Sequence, residues 1–348
     1  MKDDKSETER RAKWGSRAWI AVRIALACGA FVALRRELVN VSAAEVVSAI
    51  EGFGLIRILA AVIVAAASFL TLGIFELMAL HDTARYQIGE PKWKVPARVA
   101  IITAFVSNAF SQSIGLAVLT GSAIRMRAYS RYKVGAGAVA RISAFVTISA
   151  TLGLVAAGAI ALVESRAVLP VRFGLSMRMF GFALSLPALA YLGWALIGKG
   201  KIGGKGWRMN PPSRPMAFAQ VSLSVIDWLL TGTVLFILMP SSATIGYAGF
   251  LGIYLVAQTA GVASHVPGGL GVFEGALISL VHVADPAISA GIVAASLVVY
   301  RVVYYLLPLA IAMVMAGIAE LRARQHVISI VRRPVPSCDL IPERVNAA

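Results

Sequence analysis

The chain has 348 residues, 58% of them hydrophobic and only 14% charged, with a mean hydropathy of +0.78, far from the roughly 25% charged residues of a soluble domain. A net charge of +16 would suggest nucleic acid in a soluble protein, but the Lys and Arg residues lie in short loops between apolar runs, as the positive-inside rule describes. That pattern excludes a nucleic-acid partner, and two cysteines, Cys28 and Cys338, supply neither a disulfide framework nor a Cys-based metal site.

Residues 1–17 read as a basic cytoplasmic N-terminus, and Trp19 to Leu34 as a retained apolar anchor. Apolar runs able to cross a core of about 30 Å follow at 58–80, 99–124, 139–163, 179–197, 217–239, 244–284 and 287–318. The single transmembrane domain is expected over 18–318, with a basic cytoplasmic tail over 319–348.

Simple alternation of these runs places Arg125, Arg127, Arg131, Lys133 and Arg141 outside, against the positive-inside rule. A re-entrant hairpin over 99–127, turning near Ser111 to Gly115, removes the conflict. Its two arms of about 12 residues would each reach roughly 18 Å, about half the bilayer. Run 244–284 is too long for one span and contains Pro267, Gly268, Gly269 and Gly271. Such backbone is tolerated at membrane depth only where protein or a water-filled cavity satisfies the freed amides. A second hairpin, entering from the outer face, is therefore expected there.

The predicted fold is all-α and polytopic: an inverted repeat of about six full spans plus two re-entrant hairpins, with both termini cytoplasmic. Inverted repeats of this kind occur in alternating-access transporters. Eight ordinary spans remain the alternative.

Asp227 and Arg301 lie near the middle of their runs, where a charge is costly and needs a partner. With Glu274 they form a candidate midplane cluster, for which a structural ion pair is the plain alternative. Glu76 and Arg23, nearer their span ends, are weaker signals. Arg125 and Arg127 stand beside Gly121 and two hydroxyls, a group suited equally to a phosphate and to nonspecific lipid headgroups. The helix beginning near Gly271 would aim its N-terminus at an anion, and the glycines would admit a headgroup to the backbone. His265 is a candidate coupling group beside this turn. No HExxH or GxxxxGK[ST] pattern occurs, so no catalytic residue, metal or cofactor is expected.

Three motifs, GSAIRMRAY at 121–129, VPGGLGVFE at 266–274 and YRVVYYLLP at 300–308, occur together with FELMAL at 75–80 and IDWLL at 226–230. Over most of 55–318 the chain resembles the N-terminal membrane domain of the lysylphosphatidylglycerol synthase/flippase family and its stand-alone relatives. The resemblance implies a phospholipid translocase of the bacterial inner membrane without the aminoacyl-transferase chemistry. Glu76 stands where the lysyl-lipid members would have an aspartate. The implied substrate-binding set is Glu76, Arg125, Arg127, Asp227, Gly268, Gly269, Gly271, Glu274, Arg301 and Tyr304, with arginines holding a phosphate and carboxylates an ammonium. Membrane phospholipid is the expected partner, and a separate lipid synthase and a second copy of the chain are further candidates. A secondary transporter of a small solute, and an intramembrane lipid-modifying enzyme or its accessory subunit, are the competing functions.

Overall fold

The computed structural model describes residues 51–85, 94–114, 117–164, 177–198, 211–240, 243–264 and 266–331. The expected first span, the N-terminal segment, His265 and the end of the tail lie outside the described residues.

Every regular element among the described residues is helical. Helix α1 (Leu55–Arg85) is followed by α2 (Ala97–Ile114), α3 (Ala117–Tyr129), α4 (Ala136–Glu164) and α5 (Met177–Ile197). After these come α6 (Arg214–Leu238), α7 (Tyr247–Ser264), α8 (Val272–Ala284), α9 (Ala290–Arg301) and α10 (Leu307–Val331). Five stretches are long and apolar enough to cross a membrane: Leu55–Arg85, Ala136–Val163, Arg214–Leu238, Tyr247–Ser264 and Ala290–Ala319. The protein is an all-α polytopic membrane protein.

The helices repeat in length. In the first half, α1 of 31 residues is followed by arms of 18 and 13 residues (α2 and α3) and then by α4 of 29. In the second half, α6 of 25 residues is followed by arms of 18 and 13 (α7 and α8). The arms of each pair pack on one another. They are unequal, where two arms of about 12 were expected in the first hairpin: at 1.5 Å per residue the longer spans about 27 Å and the shorter about 20 Å. Only the shorter falls well below the core thickness of about 30 Å.

Local sequence sets several boundaries. Pro215 occupies the first turn of α6, where a missing N–H costs nothing. The Ser289 hydroxyl caps α9 by accepting from the Ile292 amide at 3.3 Å. The final run is interrupted by one π-helical turn, Val302–Leu306, between α9 and α10.

The halves meet along α1 and α6, with α4 packed against α5 and α6. A Cβ on Gly153 would fall 2.3 Å from Ser224 Cβ, so glycine permits the close approach of α4 and α6. Polar side chains reinforce that contact: Ser224 donates to the Ser149 carbonyl at 2.7 Å, and the Gln220 amide donates to Ser149 Oγ at 2.5 Å. Close small-residue packing with interhelical hydrogen bonds replaces the hydrophobic drive that lipid cannot provide.

Candidate functional site

The first charged centre joins α1 to the first hairpin. Arg125 Nε donates to Glu76 Oε1 at 2.9 Å and Oε2 at 3.0 Å, and Nη2 to Oε2 at 2.8 Å. Tyr129, one turn beyond Arg125 on the same face of α3, donates its hydroxyl to Glu76 Oε1 at 2.7 Å. The pair is sealed, with side-chain exposures of 5% for Arg125 and 0% for Glu76. Gly121 makes room for it: a Cβ there would lie 2.9 Å from Arg125 Nη1 and 3.1 Å from Ser111 Oγ.

Sequence spacing left Arg125 and Arg127 suited equally to a phosphate and to nonspecific lipid headgroups; the structure puts them in different surroundings. Arg125 is buried against a carboxylate, whereas Arg127 is exposed. Residues two apart on a helix face different ways, so the two guanidinium groups cannot grip one anion from the same side.

The second centre lies where the hairpins meet. Gly268, Gly269 and Gly271 have φ of 63°, 62° and 79°, a region costly for residues with a Cβ. A Cβ on Gly268 would sit 3.4 Å from the Gln112 carbonyl oxygen near the tip of the first hairpin. One on Gly269 would sit 3.4 Å from Gly261 Cα on the neighbouring arm. At Gly268 and Gly269 protein backbone thus approaches protein backbone.

Glu274, in the first turn of α8, accepts from the Gly271 amide at 2.8 Å through Oε2. The anion expected at this helix start is thus the protein's own carboxylate. Arg301 donates from Nε to Glu274 Oε1 at 2.7 Å, bonds the same oxygen through Nη2, and donates from Nη1 to the Gly268 carbonyl at 2.8 Å. Its guanidinium lies 4.4 Å from the centre of the Tyr305 ring, a cation–π contact. Each side chain of this pair remains 15% exposed.

Asp227 forms a third centre rather than joining the Glu274–Arg301 pair. Its Oδ1 accepts from Ser68 Oγ and Thr71 Oγ1 of α1, both at 2.7 Å. Ser68 Oγ also lies 2.9 Å from the Tyr304 hydroxyl, which is 3.0 Å from Thr231 Oγ1. Tyr304 is buried in the π-helical turn, and its ring stacks on Tyr300 at 5.6 Å and 7°. The tyrosines therefore link the Asp227 centre to the segment that carries Arg301. Single π turns recur at functional sites because they re-aim side chains within a continuous helix.

Sequence reasoning did not single out Ser68, Thr71, Tyr129 or Tyr305 for the site, and placed Gln112 only in the turn of the first hairpin. The helical spacing of Ser68 and Thr71, and of Arg125 and Tyr129, was the available signal. Among the described residues no three His, Cys, Asp or Glu side chains gather into a metal-binding group.

An all-helical membrane protein with two packed hairpins and charged pairs at their roots and tips is the class this geometry defines. No protein-family profile matches the chain. It is 36% identical over 266 residues to the uncharacterized protein slr0712 of Synechocystis, covering 72% of this chain and 79% of that protein. It is 28% identical over 285 residues to the inner membrane protein YbhN of Escherichia coli, covering 81% and 86% of the two chains. It is also 27% identical over 222 residues to the phosphatidylglycerol lysyltransferase of Bacillus subtilis, covering 61% of this chain and 25% of that enzyme. The chain belongs to the family of stand-alone relatives of the lysylphosphatidylglycerol synthase/flippase membrane domain. The match spans the membrane part of the synthase and not its catalytic domain.

Proposed function

We propose that the protein moves a phospholipid across the bacterial inner membrane, binding the headgroup where the hairpin tips meet and performing no aminoacyl transfer itself. The observation that carries this reading is the part-exposed Glu274–Arg301 pair at that junction. A pair that is reachable can exchange partners: Arg301 takes a headgroup phosphate, for which its planar fork is suited, and Glu274 takes an ammonium. An aminoacylated phosphatidylglycerol offers both groups, and unmodified phosphatidylglycerol only the first. The kinship with the membrane part of a phosphatidylglycerol lysyltransferase supports a lipid cargo, and a separate synthase would supply it. Both termini face the cytoplasm in this arrangement.

Reconstitution in liposomes with labelled lysyl-phosphatidylglycerol, phosphatidylglycerol and a neutral lipid tests the proposal. Transbilayer movement of the first two should exceed that in empty liposomes, and Arg301→Met should slow it about tenfold or more, the loss of roughly one 1.4 kcal/mol interaction. Glu274→Gln should slow the amine-bearing lipid more than phosphatidylglycerol. No movement above empty liposomes, with or without a pH gradient or membrane potential, overturns the proposal.

A further inference from the structure

Glu76 and Glu274 each face an arginine, but Asp227, also within a membrane-spanning helix, meets no cationic side chain among the described residues. Its two hydrogen-bond donors, Ser68 and Thr71, converge on Oδ1. No described residue donates to Oδ2. An ionised carboxylate in such a place calls for a counter-charge.

The surrounding hydroxyls are built to change roles. Thr71 Oγ1 lies 2.7 Å from Asp227 Oδ1 and also 2.7 Å from the Ser68 carbonyl. Ser68 Oγ lies 2.7 Å from Asp227 Oδ1 and 2.9 Å from the Tyr304 hydroxyl. A hydroxyl has one hydrogen and two lone pairs. Each can therefore turn its hydrogen from Asp227 to the second acceptor and present lone pairs to a cation at the carboxylate, exchanging one donated hydrogen bond for another. The resulting ligands are all hard oxygens, which suit alkali and alkaline-earth ions rather than thiophilic metals. One carboxylate balances one positive charge, which selects a monovalent ion.

We propose that Asp227, Ser68 and Thr71 bind a single alkali-metal cation, of which sodium is the representative. The site bridges α1 of the first half and α6 of the second, and through Tyr304 it abuts the π-helical turn after Arg301. Its occupancy thereby bears on how the two halves sit together. This inference goes beyond the headgroup reading and does not depend on it.

The thermal unfolding midpoint of the purified full chain in detergent provides the test, in chloride salts of sodium, lithium, potassium, choline and methylammonium at constant ionic strength and pH. Sodium should raise the midpoint saturably over choline. Asp227→Asn should abolish the rise, and Thr71→Val should weaken the apparent sodium affinity about tenfold or more, with Thr71→Ser restoring it. If Asp227→Asn does not fold, the Thr71 pair carries the test, since neither variant alters charge. Equal midpoints in all alkali salts and choline overturn the proposal, as does a sodium effect undiminished in both Asp227→Asn and Thr71→Val. A rise in methylammonium alone overturns it in favour of an ammonium site.

Discussion

The Glu76–Arg125 and Glu274–Arg301 pairs use the same side chains in different surroundings. The first, where α1 packs near the end of the first hairpin, is sealed from solvent and completed by Tyr129. The second, where the hairpin tips meet, is part-exposed and shares its arginine with the Gly268 carbonyl. The sealed pair has no room to exchange partners and acts as a lock between helices. The part-open pair lies between glycine backbone and a π turn, and under the proposed function it is the pair whose charges a headgroup would contest. The contrast shows that a buried charge in a membrane domain is read by its access as much as by its identity.

Removing one partner from each pair should separate the two roles most sharply. Arg125→Met strands a fully buried carboxylate and should cost about 3 to 5 kcal/mol of stability, measured by denaturant unfolding in detergent. Glu76→Gln combined with Arg125→Met should recover most of that loss, because removing both charges leaves nothing unpaired. Arg301→Met should cost less, about 1 to 3 kcal/mol, since Glu274 is part-exposed. Equal losses at the two sites would erase the distinction between lock and exchangeable pair.

A smaller effect is expected at the tip itself. Gly268→Ala introduces a Cβ at φ 63°, 3.4 Å from the Gln112 carbonyl, and should lower stability by about 1 to 2 kcal/mol while slowing lipid movement. An alanine variant as stable and active as the parent would show that the left-handed backbone at Gly268 does not require glycine.

The smallest effect concerns the base of the second hairpin, where Asp285 accepts from the Thr244 amide at 2.8 Å and its hydroxyl at 2.7 Å. These donors, the backbone N–H foremost, hold its carboxyl below the ordinary value of 3.8. Because the folded pKa lies below the unfolded one, this clasp stabilises the fold above about pH 3.9 and is lost as pH falls through the folded value. Asp285→Ala should therefore be slightly less stable than the parent at neutral pH, with the gap closing in acid. A gap independent of pH would assign the clasp to packing rather than charge.

Much of the architecture was legible in the sequence. Pro267 to Gly271 marked the second hairpin because such backbone cannot continue an apolar helix, and the basic run from Arg125 marked the first because full crossing would invert its charge. The partner of Arg125 was not legible: a guanidinium near a glycine and hydroxyls looks the same in sequence whether it serves lipid phosphate or a carboxylate 49 residues earlier. The hydroxyl shell of Asp227 was hidden for a related reason, since serine and threonine are common in membrane helices and Ser68 lies 159 residues away.

The sequence by itself determined an all-helical membrane fold, the two breaks and the charges that need explanation, because hydropathy, helix-breaking residues and charge bias act locally along the chain. Tertiary structure alone decided which acid meets which base, that the hairpin tips touch through glycine, and that Asp227 faces hydroxyls instead of an arginine. Those outcomes depend on helix packing between residues far apart in sequence, where access and partner distance, not residue type, set what a charge can do.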